Sequence, residues 1–471
     1  MGSVLFIIHD VYQEDNHFPI GIGYLAAVLK RAGHDIEIYC QDLFHYTNFE
    51  LANFLKNRKF DLIGLGFLDA RFRETIIPLS KIINKFKKDA WFVLGGNGAT
   101  PIPEYVLRET RADLVSMGES ETILPNIAEA KLNYKNLENI KGIAYYQNDE
   151  IIINERDKPI HDLDSIPFPE WSLFPIEKYS KSLKYYRMDS NDKVLGIMSS
   201  RGCIGKCNFC YRIEKGLRLR NIKNVVREMQ ILNERYGINY FVFYDELFAY
   251  PKKRIFEFRD RLDEAGLKIK YTTSGVRVDL LDRETLECLK ETGCQFLDFG
   301  IESMNQKVLK LMNKQTTIKQ NIDAVEMCRE LDIGVGLNFI WGNYGDSEAT
   351  LLEDVAFINK YNSPDQVRTI RPVTPYPGSQ LYYEAITKGL LSGPNDFFNR
   401  FKNSDLLTVN FTNIPEDKYY KLLFEANKQL ILHYYSHFKR NKMQEAYRTI
   451  NAYFDLYFKE KYDFRGVRHY N

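Results

Sequence analysis

The chain has 471 residues, which is too long for one ordinary hydrophobic core, so we expect two or three domains. Its residues are 44% hydrophobic and 27% charged, a balance that excludes an intrinsically disordered chain. Lys and Arg number 64 against 63 Asp and Glu, so net charge indicates neither nucleic acid nor an anionic membrane as a partner. The sequence has no apolar run long enough to cross a bilayer and begins as a buried strand, so we expect a cytoplasmic protein.

Residues 1–139 alternate apolar strands with segments of helical periodicity. The alternation predicts an α/β fold with a doubly wound parallel sheet, whose strands are residues 4–8, 35–40, 61–66, 90–96 and 113–117. Such sheets bind ligands beyond the carboxyl ends of their strands, which makes the residues there candidates for binding. These residues are His9, Asp10, Phe67, Leu68, Gly95, Gly96, Asn97, Gly118 and Glu119.

The remaining chain divides into three further segments. Residues 140–190 lose the alternation and are rich in proline, which is typical of an interdomain linker. Residues 191–394 resume the alternation in six strand–helix units, which predicts an open, partial (β/α)6 barrel. Its strands are predicted at residues 193–198, 240–244, 269–273, 296–300, 334–340 and 366–370. Residues 395–471 show helical spacing without strands and are predicted to form a helical C-terminal cap.

Three of the seven cysteines fall within eight residues, directly after the first strand of the predicted barrel. Cys203, Cys207 and Cys210 have the spacing C-x3-C-x2-C. Three thiolates on one tight loop can bind three irons of a [4Fe–4S] cluster and leave the fourth iron open. Zinc is an alternative, but it prefers four ligands and no nearby His or Cys supplies the fourth. The remaining alternative is a set of three thiols without a metal.

This loop and several later motifs resemble the radical S-adenosylmethionine superfamily. The later motifs are Tyr244-Asp-Glu246, Gly300-Ile-Glu-Ser303, Trp341-Gly-Asn-Tyr-Gly-Asp-Ser-Glu348 and Thr374-Pro-Tyr-Pro-Gly-Ser379, with Tyr344 in place of the usual Pro. The resemblance implies that S-adenosylmethionine chelates the open iron. It further implies that an electron from the reduced cluster cleaves the sulfonium and yields a 5′-deoxyadenosyl radical.

The resemblance also assigns roles to residues around the predicted barrel rim. Asp245 and Glu246 are expected near the methionyl amino group, and Glu302 near the ribose hydroxyls. Helix capping is the structural alternative for Asp245 and Glu246. Ser274 and Arg277 follow the third barrel strand and are candidates for the carboxylate or the ribose, with an exposed salt bridge as the alternative for Arg277. The remaining expected contacts of this cofactor are Phe209, Ile340 and Trp341.

The N-terminal half resembles the cobalamin-binding domain of cobalamin-dependent radical S-adenosylmethionine enzymes, the general type of the anaerobic magnesium-protoporphyrin monomethyl ester cyclase group. The motifs that carry this resemblance are Pro19-Ile-Gly-Ile-Gly-Tyr-Leu-Ala26, Gly95-Gly-Asn-Gly-Ala-Thr-Pro101 and Gly118-Glu-Ser-Glu-Thr122. The resemblance implies that the strand-end residues from Phe67 to Glu119 bind cobalamin. The structural alternative is that the glycines of these motifs form the tight turns found in any doubly wound sheet.

One departure from the cobalamin-binding pattern concerns the metal. Many cobalamin proteins carry Asp-x-His-x-x-Gly, whose His binds the cobalt. The nearest match here is Asp15 and His17 followed by Gly21, one residue too far. We expect His17 to be a surface residue, with cobalamin either bound without that ligand or lost.

The resemblance implies an enzyme that transfers a methyl group to an unactivated carbon of a small organic substrate. Cyclisation, ring rearrangement or oxidation with the same cofactors is an alternative, as is a radical enzyme that has lost cobalamin. A non-catalytic cobalamin or iron–sulfur sensor is disfavoured by the rim motifs, and a tRNA-modifying enzyme by the neutral charge. A reducing partner such as flavodoxin or ferredoxin is expected, without nucleic acid or membrane partners. The sequence does not indicate the substrate.

Overall fold

The computed structural model describes residues 1–10, 16–68 and 71–461. Asp15 and residues 462–471 of the predicted cap lie outside the described residues. Within the described part, the predicted α/β architecture is confirmed: two sheets built mainly from parallel strands are followed by C-terminal helices.

Seven strands form the first sheet. In chain order they are β1 (Ser3–Ile8), β2 (Asp35–Cys40), β3 (Leu62–Gly66), β4 (Trp91–Gly95), β5 (Leu114–Ser116), β6 (Ile143–Gln147) and β7 (Glu150–Ile153). Their order in the sheet is β2-β1-β3-β4-β5-β6-β7, and the first five are parallel. The chain therefore proceeds in one direction from β1 to β2 and in the other from β3 onward, which places a crevice between β1 and β3.

Helices cover both faces of this sheet. They are α1 (Ile20–Arg31), α2 (Gln41–Phe44), α3 (Asn48–Lys56), α4 (Ile77–Phe86), α5 (Pro103–Thr110) and α6 (Ser120–Asn133). Local sequence signals explain several of their ends: Thr47 and Glu50 form a capping box at the start of α3, and Pro103 opens α5. A π-helical turn at Phe72–Ile76 precedes α4, where the sequence predicted one continuous helix.

The first sheet extends past residue 139 into the segment that the sequence predicted to be a linker. β6 pairs antiparallel with β5, and β7 pairs antiparallel with β6. Gly142 turns the chain into this hairpin with φ +72°, and its carbonyl accepts a hydrogen bond from the Met117 amide at 2.7 Å. The linker therefore begins after Ile153. The sequence did not indicate this hairpin, because two antiparallel strands need no crossover helix between them and leave little periodic signal.

The second sheet is an open half-barrel of six parallel strands. They are β8 (Val194–Ile197), β11 (Tyr240–Phe243), β12 (Lys270–Val276), β13 (Cys294–Glu302), β14 (Gly334–Trp341) and β15 (Arg371–Pro372), whereas β9 (Ser200–Cys203) and β10 (Gly216–Leu219) form a separate hairpin. β8 and β15 are the two edges, so the barrel does not close. The helices between the strands are α8 (Ile222–Tyr236), α9 (Lys252–Ala265), α10 (Arg283–Glu291), α11 (Gln306–Leu311), α12 (Ile318–Glu330) and α13 (Glu348–Tyr361).

The sixth barrel strand differs from the prediction. The sequence placed it at residues 366–370, but the structure places β15 at Arg371–Pro372. The side chain of Asn427 explains the difference, because it donates to the Ile370 carbonyl at 3.0 Å and accepts from the Ile370 amide at 2.8 Å. A side-chain amide thus replaces the neighbouring strand as hydrogen-bonding partner.

Helices dominate the rest of the chain. They are α7 (Ile176–Ser182) in the linker, followed after the barrel by α14 (Gln380–Thr387), α15 (Pro394–Arg400), α16 (Glu416–Phe438) and α17 (Met443–Phe458). Asn427 belongs to α16, so this helix packs directly on the end of the barrel. Among the described residues, no helix is long and apolar enough to span a membrane.

The two domains share one apolar core. The core around the barrel strands includes Phe18 and Tyr24 from α1 and its approach, and Trp171 from the linker. The Tyr179 hydroxyl of α7 donates to the buried Asp42 carboxylate of α2 at 2.9 Å. Burial of these side chains fixes the carboxyl ends of the first sheet against the barrel rim.

Candidate functional site

The three clustered cysteines lie in the hairpin between β9 and β10. Cys203 pairs with Gly216, and Gly202 pairs with Leu217. Gly202 has φ +82°, and a Cβ there would lie 2.0 Å from the Gly216 carbonyl oxygen. Only glycine therefore allows the two arms to approach this closely. The sequence pattern predicted the loop but not the hairpin that presents it.

The cysteine arrangement bears on which metal it could hold. Cys203 and Cys207 are half-buried and Cys210 is exposed. Among the described residues, no three His, Cys, Asp or Glu side chains converge on one metal ion. A zinc site needs such convergence, whereas a cuboidal cluster takes each thiolate on a different iron. The loop therefore fits an iron–sulfur cluster better than the zinc alternative.

Positive charge surrounds the half-buried thiols. Burial raises the pKa of the Cys207 thiol, whereas the nearby ammonium of Lys314 and the guanidinium of Arg277 lower it. The Gly205 amide donates to Cys203 Sγ at 3.3 Å. The positive charges and the amide hydrogen bond each favour the thiolate, which is the form that binds iron, although burial keeps the pKa of Cys207 above its usual value.

Arg277 lies against this loop and is almost fully buried. Its guanidinium binds the Asp279 carboxylate with two contacts of 3.0 Å and donates to the Lys314 carbonyl at 3.1 Å. A Cβ at Gly205 would lie 2.7 Å from Arg277 Nη1, so glycine makes room for the guanidinium. The predicted alternatives were a binding residue and an exposed salt bridge, and the structure shows a salt bridge that is buried beside the cysteines.

Glu302 and Lys314 form a buried ion pair at the end of β13. Lys314 Nζ lies 3.0 Å from Glu302 Oε1, and Glu302 has φ +67°, a conformation rare outside glycine. A Cβ at Gly300 would lie 2.4 Å from that carboxylate oxygen. A side chain at residue 300 would therefore displace this ion pair, and Glu302 lies close enough to Cys207 to raise the pKa of its thiol.

The acidic pair after β11 separates into two environments. Asp245 is buried, and its carboxylate accepts from the Ser199 amide at 2.7 Å and from the Ser200 hydroxyl at 2.7 Å. This carboxylate ties β11 to the start of the cysteine hairpin. Glu246 is exposed on the wall of a cavity described below, and Ser274 is exposed near the end of β12.

The three remaining expected contacts of S-adenosylmethionine lie in packed surroundings. The Trp341 indole is fully buried and stacks on Tyr419 of α16, with ring centroids 4.3 Å apart. Its side chain therefore packs on the C-terminal helix, and a contact of this residue with the cofactor stays a prediction. Ile340 and Phe209 are half-buried and pack against a separate apolar cluster that joins the first sheet to α14.

A cavity of about 690 Å³ separates the first sheet from the barrel rim. Every candidate at the strand ends of the first sheet, from Phe67 to Glu119, lines it. The barrel contributes Met198, Arg201 and Glu246 to the opposite wall. The structure therefore places the predicted cobalamin residues and one residue of the acidic motif around the same space.

Two adjacent glycines make this cavity deeper. Gly66 and Gly95 pair across β3 and β4, and both line the cavity. A Cβ at Gly66 would meet no atom closer than 3.9 Å, and one at Gly95 none closer than 3.6 Å. Protein packing does not require glycine at either position, so the absence of side chains leaves a cradle for a flat, bulky ligand such as a corrin.

Glu119 has a different role from the one predicted. Its carboxylate binds Arg201 at 2.9 Å and Arg218 at 2.6 Å, and it accepts from the Ile160 amide at 2.8 Å. Desolvation opposes ionisation, but the two guanidinium groups lower the pKa of Glu119 below its usual range. Glu119 joins the domains across the cavity and is not a free ligand.

Sequence reasoning left out several residues of this region. Lys314 has no motif and reaches Glu302 only through the fold. Tyr244 lines the cavity and hydrogen-bonds His17 Nδ1 at 2.7 Å, which links the loop after β1 to the barrel. His17 is exposed, as predicted, and does not line the cavity. His9 does line the cavity, and the sequence indicated it by its place at the end of the first predicted strand.

Two family models match the chain. The radical SAM superfamily model matches residues 197–358, which include the cysteine hairpin. The B12 binding domain model matches residues 11–128, which include the strand ends around the cavity. These matches agree with the division of the site between two domains.

Known proteins give the same picture. An uncharacterized methyltransferase of Pyrococcus horikoshii is 30% identical over 378 residues, which cover 79% of each chain. The anaerobic magnesium-protoporphyrin IX monomethyl ester cyclase of Cereibacter sphaeroides is 28% identical over 379 residues, 78% of this chain and 60% of the cyclase.

A solved structure shares the fold. The radical S-adenosylmethionine methyltransferase TsrM from Kitasatospora setae, with cobalamin and a [4Fe–4S] cluster bound, has a TM-score of 0.67 at 17% identity. The match covers 82% of this chain and 75% of TsrM. The radical SAM and B12-binding domains that the family models match imply a [4Fe–4S] cluster, S-adenosylmethionine and cobalamin as cofactors. The chain belongs to the cobalamin-binding radical S-adenosylmethionine enzymes.

Proposed function

We propose that this enzyme transfers a methyl group to an unactivated carbon of a small organic substrate. The observation that carries the proposal is the cavity shared by the strand ends of the first sheet and the barrel rim. When bound, the cluster and S-adenosylmethionine supply a carbon radical, and the corrinoid supplies a methyl group. A reaction that combines the two needs both cofactors at one enclosed space.

The chain's own residues have three tasks in this proposal. Cys203, Cys207 and Cys210 hold the cluster, while Arg277 and Lys314 compensate its negative charge. Glu302, fixed by Lys314, is the candidate for the ribose hydroxyls. The apolar walls of the cavity exclude water, which protects a reactive radical from side reactions. The walls that serve this purpose are Phe67, Leu68 and Met198.

The first half of the proposal can be tested without knowing the substrate. The anaerobic enzyme is loaded with cobalamin, reduced and mixed with S-adenosylmethionine that carries a deuterated methyl group. We expect deuterated methylcobalamin and S-adenosylhomocysteine in equal amounts, together with 5′-deoxyadenosine. Formation of 5′-deoxyadenosine without labelled methylcobalamin would contradict methyl transfer and favour cyclisation, rearrangement or oxidation with the same cofactors.

The cysteine variant Cys203→Ala, Cys207→Ala, Cys210→Ala is the matched control. It removes the cluster ligands and leaves the cavity residues unchanged. We expect it to lose 5′-deoxyadenosine formation, because S-adenosylmethionine is cleaved at the reduced cluster. Formation of 5′-deoxyadenosine at the wild-type rate by the folded variant would contradict the assignment of these cysteines to the cluster.

We also propose a small one-electron carrier such as flavodoxin or ferredoxin as reducing partner, which fits a cytoplasmic enzyme. We expect reduced flavodoxin with its reductase to drive 5′-deoxyadenosine formation at a rate comparable to that with dithionite. If neither flavodoxin nor ferredoxin supports 5′-deoxyadenosine formation while dithionite does, the proposed reducing partner is wrong.

A further inference from the structure

His9 lies at the crevice of the first sheet. It follows directly after β1, and β1 and β3 are the neighbours between which the chain direction reverses. Open α/β sheets bind their ligands at this point. His9 lines the cavity together with Gly66, Phe67 and Leu68 from the end of β3.

The His9 ring is prepared for metal binding by its surroundings. It hydrogen-bonds to the backbone of Gly66, which favours the form that donates an N–H. A neutral imidazole that donates one N–H to the backbone keeps a lone pair on its other nitrogen, which is the usual state of a metal-binding His.

Two other carboxylates that line the cavity are engaged elsewhere. Glu119 and Glu121 bind guanidinium groups, at distances of 2.9 Å and 2.5 Å to Arg201. His17, the residue nearest to the usual motif, hydrogen-bonds to Tyr244 and does not line the cavity. Among the cavity-lining residues that the structure describes, His9 carries the only imidazole.

We propose that His9 supplies the axial nitrogen ligand of the cobalt, from the side of the first sheet. The ligand would thus come from the residue directly after β1. His17, which belongs to the imperfect motif, does not line the cavity. The step forms one dative bond from a ring nitrogen to cobalt and changes no oxidation state. The inference rests on the proposed function in one respect: a corrinoid must occupy this cavity.

Electron paramagnetic resonance of the reduced, cobalt(II) form tests the proposal directly. The full-length protein is loaded with cobinamide, a corrinoid without the nucleotide base, so any nitrogen ligand on the axial position comes from the protein. We expect each cobalt hyperfine line to split into three, because one ¹⁴N nucleus couples to the unpaired electron. In protein labelled with ¹⁵N-histidine, each line should split into two.

Two variants assign the nitrogen to one residue. His9→Gln should retain cobinamide on desalting but lose the nitrogen splitting, whereas His17→Gln should keep it. Persistence of the splitting in His9→Gln, or its absence in the wild type, would overturn the proposal. The isotope comparison in the wild type decides the presence of a histidine ligand even where His9→Gln does not fold.

Failure of the inference and failure of the proposed function give different results. If the protein retains cobinamide without nitrogen splitting, His9 is not a ligand and the proposed function stands. If the folded protein with an intact cluster retains neither cobinamide nor cobalamin, both the ligand and the cobalamin-dependent function are overturned.

Discussion

Glu302 illustrates how single residues are fixed by neighbours that the sequence separates. Its left-handed backbone turns the carboxylate back over Gly300, where Lys314 meets it at 3.0 Å. Such conformations cost about 1–3 kcal/mol and are found where the surroundings enforce them. The motif predicted the carboxylate, but Lys314 could not be predicted because it lies in a loop twelve residues later.

Gly300→Ala tests this arrangement. The new methyl group would lie 2.4 Å from Glu302 Oε1 and 2.8 Å from Lys314 Nζ, so the ion pair must move. We expect the affinity for S-adenosylmethionine to fall about tenfold in calorimetry, a change of about 1.4 kcal/mol, with the iron content unchanged. Gly266→Ala, at a helix end with open space around it, should leave the affinity unchanged. Equal affinity in both variants would contradict the role of Glu302.

Asp42 provides a pH-dependent test at the contact between the first sheet and the linker. Burial raises its pKa to about 7, against which the Tyr179 hydrogen bond acts only partly. The unfolded chain releases this proton near pH 4, so the folded protein loses stability as pH rises from about 4 to 7. Asp42→Asn mimics the neutral acid and removes this penalty.

We therefore expect the free energy of unfolding of Asp42→Asn to rise relative to wild type across this range. The difference should grow by up to about 4 kcal/mol between pH 4 and pH 7 and then remain constant. Urea unfolding of the apoprotein at several pH values measures it. A difference that is flat with pH, or that shrinks as pH rises, would contradict the raised pKa.

The cysteine hairpin is the element on which the site depends most. Gly202 and Gly216 lie one register position apart on its two arms, with φ +82° and +85°. Only at Gly202 would a Cβ strike the opposite backbone, at 2.0 Å, whereas the space around Gly216 is open. A side chain at either position would strain the backbone, but only a side chain at residue 202 would also clash with the opposite arm.

Alanine at each of these positions gives a matched pair of variants. Both changes strain a left-handed residue by about 1 kcal/mol, but Gly202→Ala must also push the arms apart. We expect Gly202→Ala to retain less than half of the wild-type iron and sulfide after reconstitution, and Gly216→Ala to retain nearly all. Equal cluster content would show that the close approach of the arms is dispensable.

At the level of elements, regular patterns gave good predictions and irregular segments did not. The strand at Asp35–Cys40 has the predicted bounds, because its apolar alternation marks it locally. The β6–β7 hairpin and the displaced β15 depend on partners from other parts of the chain. Asn427 and the β5 edge supply these partners, and neither leaves a signal in the affected segment.

The whole molecule is organised around a cavity with one wall from each domain. The strand-end candidates from Phe67 to Glu119 lie along one wall, because the carboxyl ends of parallel strands meet at one edge of a sheet. That they bind cobalamin stays a prediction. The chemical state of Glu119 could not be predicted, because Arg201 and Arg218 reach it from the other domain. Motifs identify which residues gather at a site but not which of them remain free.

Glu119→Gln tests this connection between the domains. Glu119 and Arg218 are each 9% exposed, and the change leaves a buried guanidinium without its carboxylate. We expect a loss of about 3 kcal/mol in the free energy of unfolding in urea. Glu104→Gln, which breaks the exposed pair with Arg108, should cost no more than about 0.5 kcal/mol. Equal losses would contradict the structural role of Glu119.

The most direct test of the account is the cofactor content of anaerobically reconstituted protein. Iron, sulfide and hydroxocobalamin are supplied, free cofactors are removed by desalting, and iron and cobalt are measured per chain in the wild type and in Gly66→Val. A Cβ at Gly66 would meet no protein atom closer than 3.9 Å, and the valine side chain would extend from there into the cradle between β3 and β4. We predict a [4Fe–4S] cluster and one corrinoid in the wild type, and the cluster alone in Gly66→Val. Corrinoid retained equally by both proteins, or by neither, would contradict the assignment of this cavity to cobalamin.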